Sequence, residues 1–183
     1  IMGQSPPSEY YNKEGRGLPF FQGKKEFGLK FPKVEVWTVK YNKEADKGDL
    51  LVSVRAPIGP CNIALEKCAI GRGIAAIKVN NETESLLLYY LIKYNEQGLD
   101  SKGTGTTFKA ISKNALNSFI VKVPEKRAWK KIVLSIESKF SIIDKVEEVV
   151  NQSLVKAEIL KKSILKSAFD GKLVKFGEGV PKK

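Results

Sequence analysis

The stretch Gly48-Asp-Leu-Leu-Val-Ser-Val-Arg-Ala-Pro-Ile-Gly59, continued by Cys68-Ala-Ile-Gly-Arg-Gly-Ile-Ala-Ala-Ile-Lys-Val79, decides how this chain folds. A turn at Lys47-Gly48-Asp49 leads into an apolar strand expected from Leu50 to Val54. Arg55 stands at the strand's exit, where Pro57 and Gly59 force a turn. A returning strand is expected from Cys61 to Leu65, and a third from Gly73 to Val79, after the corner Gly71-Arg72-Gly73. Apolar, β-rich runs bounded by glycine and proline are the mark of a compact sheet. Arg55 and Arg72 are two of only four arginines, and each sits at a strand end marked by glycine or proline. A guanidinium there either closes a salt bridge at a sheet corner or offers its planar fork to phosphate or guanine.

Upstream, residues 3–28 read as a long loop around one short strand, Leu18 to Gln22. Loops of that length inside a domain are commonly functional. Gln4, Ser5 and Gln22 bring hydrogen-bonding groups, and Arg16, Lys24 and Lys25 bring charge. Tyr10, Tyr11, Phe20 and Phe21 lie among them; the phenylalanines are expected in the core and the tyrosines packing the loop down, with stacking on exposed nucleotides the other reading. Val34 to Val39 alternates as a half-buried strand does.

Downstream, Glu82 to Glu96 reads as a helix stopped by Gly98, with Leu86, Leu87, Tyr90, Leu91 and Tyr94 on its apolar face. Ser101-Lys-Gly-Thr-Gly-Thr-Thr-Phe-Lys109 is rich in glycine, hydroxyls and lysine. Freed backbone amides with Lys102, Thr104, Thr106, Thr107 and Lys109 suit contact with a phosphate backbone, although the segment is not a nucleotide-binding P-loop. Phe108 and Ile111 are expected to anchor it. Ser112 caps a short helix to Leu116, and Phe119 to Val123 reads as a last strand closed by Pro124.

Beyond Pro124 the texture changes. From about residue 125 to Phe169 there is no proline or glycine, and Gly171 ends the run. Ile136, Ile143, Val150, Ala157 and Ile164 recur every seven residues, with Val146 and Leu160 in the interleaved seam. That period marks a coiled-coil helix in need of a partner. The expected fold class is therefore α+β: an irregular strand-rich domain over 1–124, one long coiled-coil helix over 125–171, and a basic tail over 172–183.

Composition narrows the function. The chain has 183 residues, a net charge of +12 and no histidine. Residues 1–124 carry 18 basic and 12 acidic groups and residues 125–183 carry 14 and 8, so the basicity is not confined to a tail. A polyanionic partner, nucleic acid first, is the natural inference. The lack of histidine removes histidine-ligated metals and any Ser-His or Cys-His nucleophile. Cys61 and Cys68 are expected as buried thiols on adjacent strands rather than as a disulfide or metal pair. Asp46 and Asp49 flank a turn with no second acidic cluster to complete a divalent-metal site. No catalytic residue and no metal ligand is assigned, no membrane span or signal peptide is seen, and a native start upstream of Ile1 is expected.

GDLLVSVRAPIGPCNIAL and CAIGRGIAAI together resemble the core of a target recognition domain from the specificity subunit of type I restriction–modification systems. Met2-Gly-Gln-Ser-Pro-Pro-Ser8, Gly105-Thr-Thr-Phe-Lys-Ala-Ile-Ser112 and Ile164-Leu-Lys-Ser-Ala-Phe-Asp-Gly-Lys-Leu-Val174 match the same family in the same order. The resemblance implies a cytoplasmic prokaryotic, non-catalytic subunit that reads double-stranded DNA and directs methyltransferase and restriction subunits. Adenosylmethionine and ATP are then expected on those partners and no cofactor on this chain. A family subunit carries two recognition domains and two antiparallel helices; this chain has one of each, so it is half of a longer subunit or a half-length subunit that forms a homodimer. One departure stands at the start of the rod, where Glu125-Lys-Arg-Ala-Trp-Lys130 replaces the expected Glu-Gln-Lys. Two rival readings remain: an interaction protein whose coiled coil recruits a partner while the basic domain binds nucleic acid non-specifically, and a nuclease with an unrecognised site.

Overall fold

The computed structural model describes residues 1–105 and 109–173, which fall into two compact units, one of Ile1–Val133 and one beginning at Leu134. Among the described residues the first unit holds strands β1 (Tyr11–Asn12), β2 (Leu18–Phe21), β3 (Trp37–Thr38), β4 (Glu44–Ala45), β5 (Leu50–Ser53), β6 (Cys61–Ile63), β7 (Cys68–Ile70) and β8 (Ile74–Ile77). Helices α1 (Glu82–Tyr94), α2 (Glu96–Ser101) and α3 (Lys113–Asn117) follow, and α4 (Trp129–Phe169) leads into the second unit. The strands form a five-stranded sheet, in the order β1-β3-β2-β7-β4, and a three-stranded sheet, β6-β5-β8.

Strand β5 sits at the centre of the smaller sheet, antiparallel to both neighbours. Its alternate residues point to opposite faces. Leu50, Val52 and Val54 join one core with Tyr89, Ile92 and Leu99 of the helices. Leu51 joins a second core with Phe21, Ala45, Cys68, Ile70 and Ile74. Burial on both faces explains why this strand reads as a continuous apolar run instead of an alternating one. Each such side chain contributes about 1.5–3 kcal/mol through burial.

The chain changes sheets at Gly71–Gly73, since β7 belongs to the larger sheet and β8 to the smaller. Both glycines are required by close approach rather than by dihedral angle. A Cβ on Gly71 would press on Ser5 Oγ at 2.9 Å and on the Phe20 ring, and one on Gly73 would run into the Gln22 carbonyl. The opening residues lie along the same corner, with Gly3 N donating to Ile74 O at 2.8 Å and Gln4 N to Ile70 O at 2.9 Å. Tyr11 pins this loop, its hydroxyl donating to Pro6 O at 2.7 Å and its ring 4.8 Å from that of Phe20. Phe20 and Phe21 are core residues, as the sequence suggests.

Several expectations need correction. Within the expected strand over Val34–Val39, only Trp37–Thr38 joins a ladder, while Val36 O takes one bond from Phe20 N. The helix expected to run to Glu96 ends at Tyr94, because Asn95 turns out of helical geometry and its side-chain amide donates to Leu91 O. Gly98 does not stop it but lies inside α2, packed 3.4 Å from the Phe119 ring if given a Cβ. The buried face of α1 is Ser85, Leu87, Tyr89 and Ile92, so Tyr94 points away and is 89% exposed. Residues 119–123 form no strand: Phe119 packs on the core, but Ile120 and Val123 are exposed. β-propensity alone does not make a strand where no sheet edge is available to pair with. Cys61 and Cys68 are free and buried, but they lie in different sheets; burial pushes each thiol up to about 12, so neither is reactive. Phe108 and residues 174–183, most of the expected tail, lie outside the described residues.

Helix α4 has 41 residues, about 60 Å at ~1.5 Å each, and follows a 3-10 turn at Lys126–Ala128. Trp129 Nε1 donates to Pro124 O at 2.8 Å and fixes the entry. Val133 is buried, whereas Ile143, Val146, Val150, Leu160 and Ile164 are exposed.

The turn that launches β5 depends on one buried charge. Asp49 is 2% exposed; its carboxylate accepts from Asp46 N at 2.7 Å and pairs with Lys78 Nζ at 2.8 Å. Lys78→Met leaves that carboxylate buried without a counter-ion. A fully buried pair broken this way costs ~3–5 kcal/mol, and the half-exposed ammonium reduces the expected loss to about 2 kcal/mol. Urea unfolding measures it; an unchanged midpoint would show that Asp49 is held by the turn alone.

Candidate nucleic-acid interface

The residues singled out in the sequence come from segments far apart in the chain, and one residue joins them. Val54, just past β5, donates its N–H to Gly73 O at 2.9 Å and accepts from Ile111 N at 3.0 Å through its carbonyl. One bond ties the strand's exit to the Gly71–Gly73 corner, the other to the segment after the glycine-rich loop. Arg55 then forms a β-bridge with Ala110, and Ala56 N donates to Lys109 O at 3.0 Å. Thr104 and Ala110 exchange both backbone bonds, at 2.9 and 3.0 Å, and close the loop into a hairpin. Adjacent extended segments lie ~4.8 Å apart. The corner, the strand exit and the hairpin therefore form one continuous rim.

Most of the candidates lie along that rim. Arg72 is exposed at the corner, with its backbone N–H donating to Ser5 Oγ at 3.2 Å. Gln4 is exposed beside it, and Gln22 is exposed at the end of β2, its carbonyl under Gly73. Lys24 follows at the start of the 3-10 turn Lys24–Glu26 and is exposed. Arg55, Lys102 and Thr104 are exposed on the strand exit and hairpin side. Thr106 and Thr107 lie outside the described residues. Arg16 is not brought to the rim: it precedes β2, at the end opposite Gln22, where it pairs with Glu14 at 3.3 Å and its backbone bonds to Asn12.

Charge pairing separates the four arginines. Arg16 is paired with Glu14 and Arg127 with Glu125. Among the described residues Arg55 and Arg72 make no ion pair and no side-chain hydrogen bond. Of the two roles open to a guanidinium at a sheet corner, the internal salt bridge is not the one these two play. Lys109 is different from its neighbours. Its ammonium is paired with Asp100, whose other oxygen accepts from Ile58 N at 3.4 Å. Hydrogen bonding to Lys109, more than any other influence, holds the Asp100 carboxyl below the usual range, so the pair persists until pH falls through that lowered value. Lys109 and Asp100 thus brace the loop that carries Arg55.

Sequence reasoning missed Asp100, and it missed the cleft beside it. About 580 Å³ opens between Pro57 and Ile58 on one wall and Lys93, Tyr94, Glu96, Gln97 and Asp100 on the other. The signal available in the sequence was Asn95, a residue suited to breaking a helix after Tyr94. No group of three or more His, Cys, Asp or Glu is placed to hold a metal ion among the described residues, and no described helix is long and apolar enough to cross a membrane.

Residues 1–167 match the family model described as the type I restriction modification DNA specificity domain. The chain belongs to this family. It is 41% identical over 174 residues to a protein of Methanocaldococcus jannaschii described as the type I restriction enzyme MjaX specificity subunit, covering 94% of this chain and 40% of that one. A chain solved in work on complex assembly and conformational transition of the type I R-M system superposes with a TM-score of 0.83 at 38% identity, covering 94% of this chain and 43% of that one. The HsdS subunit from Thermoanaerobacter tengcongensis gives 0.75 at 37%, with 94% and 42% covered. These likenesses support a strand-rich α+β domain followed by a long helix. This specificity-domain chain spans about two fifths of the length of the relatives it matches.

The two kinds of rim cation are separable by salt. Arg55→Gln and Arg72→Gln are each expected to weaken duplex binding and to reduce the slope of log affinity against log salt by about 1. Lys109→Met combined with Asp100→Asn, which removes an already neutral pair, is expected to leave the slope unchanged. Fluorescence anisotropy across a salt series reads both; a slope unaltered by either arginine change removes the rim as a phosphate-binding surface.

Proposed function

We propose that this specificity-domain chain is a non-catalytic DNA-reading subunit that acts as a dimer of two half-length copies, each reading one of two inverted half-sites. The observation that carries the proposal is the pair of uncommitted guanidinium groups, Arg55 and Arg72, on one rim of a rigid sheet. Phosphate contacts along the rim would set position, and base-edge contacts would set sequence. Adenine methylation and cleavage would belong to methyltransferase and restriction subunits, with adenosylmethionine and ATP bound there. The chain's task is to bring those subunits to the site.

The dimer rests on α4. Its stripe of Ile143, Val150, Ala157 and Ile164 with Val146 and Leu160 is exposed, and one helix cannot bury its own stripe. Sequence favours antiparallel pairing. In that arrangement Ile143 faces Leu160 of the other copy, Val146 faces Ala157 and Val150 faces Ser153, so small residues meet branched ones. The flanking Glu147 then lies near Lys161 of the other copy. Parallel pairing instead sets Lys156 beside Lys161, two like charges. An antiparallel pair is closed and two-fold, so it would present two identical rims in inverted orientation. Helix length would fix their separation and hence the spacer between half-sites.

The rival account, a coiled-coil interaction protein with a passive basic domain, uses the same helix but requires no sequence preference. Ile143→Asp with Leu160→Asp tests the dimer. Sedimentation is expected to show monomer at concentrations where the parent chain dimerises. The monomer is expected to retain binding to a single half-site while losing the added affinity for two inverted copies. A variant that stays dimeric would place the interface elsewhere.

A further inference from the structure

The cleft beside Arg55 belongs to neither the phosphate-facing rim nor the dimer. Its position is fixed by a close approach: Glu96 lies over Gly59, its Cγ 2.8 Å and its carbonyl oxygen 3.0 Å from where a Cβ on that residue would stand. Gly59 has φ +106°, a conformation that other residues rarely adopt. The α1–α2 corner is thereby locked against the loop that carries Arg55, and the cleft between them is preformed. On its lip Tyr94 is 89% exposed, and its ring takes no part in the core. Gln97 is exposed, and neither its amide nor the Glu96 carboxylate makes a hydrogen bond or ion pair among the described residues. The two remaining polar groups are committed, Asp100 to Lys109 and to Ile58 N, and Lys93 to the Tyr89 hydroxyl at 3.0 Å.

The chemistry of the cleft does not suit a phosphate. A free carboxylate beside a phosphodiester is repelled, and the ammonium of Lys93 is drawn to the Tyr89 hydroxyl rather than to the Glu96 carboxylate. A carboxylate and an amide side by side suit base edges instead: Glu accepts from the exocyclic amine of cytosine, and Gln meets adenine through paired donor and acceptor. An exposed tyrosine supplies apolar contact with a hydroxyl to orient it.

We infer that the α1–α2 corner is a second base-reading element of this chain, in which Glu96 and Gln97 read amino-bearing base edges in the major groove beside the position set by Arg55, with Tyr94 packed against the same nucleotides. This rests on the reading of the chain as a sequence-specific DNA binder. It adds a specificity-determining site that the rim residues do not supply.

The test compares the 183-residue parent chain with Glu96→Gln and Gln97→Ala. Each is used to select duplexes from a random pool and then measured on the selected site and on single-base variants of it. Glu96→Gln is expected to lose about tenfold in affinity for the selected site, the size of one good base contact, and to lose preference at one or two adjacent positions. Gln97→Ala, at an exposed helix position, is expected to relax a neighbouring position. If Glu96 is only a bystander acid, its removal relieves repulsion, raises affinity for all duplexes alike and leaves every base preference intact; that result overturns the inference. Unchanged base profiles in both variants, with a clear preference in the parent, overturn it while leaving the DNA-reading function standing. A parent chain without sequence preference overturns both.

Discussion

The structure depends on a strand with no solvent face. β5 is buried above by α1 and below by the larger sheet, so its register is fixed from both sides. A one-residue slip would exchange Leu50, Val52 and Val54 with Leu51 and Ser53, and each core would receive the wrong set. Where that rigid strand emerges, Val54 spends its two backbone groups on the corner and on the hairpin. The candidate residues near 55, 72 and 104 are thereby tied together by one residue's hydrogen bonds, and Ser5 is joined to them through the backbone N–H of Arg72. Loops are usually mobile, but the strand exit and the Gly71–Gly73 corner are tied by backbone hydrogen bonds to the strand between them.

Electrostatics divides the basic residues by role more sharply than net charge does. Many cations are spent inside the molecule: Lys78 on Asp49 and Asp46, Lys67 on Glu44, Lys109 on Asp100, Arg16 on Glu14. These pairs hold turns and brace loops, and several are worth little in stability because they are exposed. Among the arginines, Arg55 and Arg72 stand apart because the fold makes no use of their charge. The free carboxylate of Glu96 stands apart for the same reason and with the opposite sign. An uncommitted guanidinium on the rim and an uncommitted carboxylate on the α1–α2 corner would together suit a partner with mixed edges, and duplex DNA presents that mixture in its major groove.

Much of this was legible in the sequence, and the limits are physical. The central strand, the glycine corner, the capped helix after Ser112 and the long heptad helix follow from local pattern. The family resemblance rests on motifs in the same segments. The misreadings arose where tertiary context overrides propensity. Phe-Ile-Val-Lys-Val at 119–123 has the composition of a strand, but it meets no free sheet edge. Tyr94 fits an apolar helical stripe by spacing, yet the helix turns its Leu87–Tyr89–Ile92 face inward and ends at Tyr94, with Asn95 as its cap. Lys109 looked like a free cation because its partner, Asp100, is nine residues away across a loop. Whether a charge is paired is a property of the fold, and no composition count supplies it.

The central claim is that this specificity-domain chain reads two inverted half-sites at a distance set by α4. Selection of bound duplexes from a random DNA pool by the 183-residue chain, with sequencing of what is retained, tests it most directly. The account predicts two inverted copies of one short motif at constant spacing. A single motif without its inverted copy would contradict the dimer, and an absence of enrichment, with a methyltransferase subunit present, would contradict DNA reading altogether.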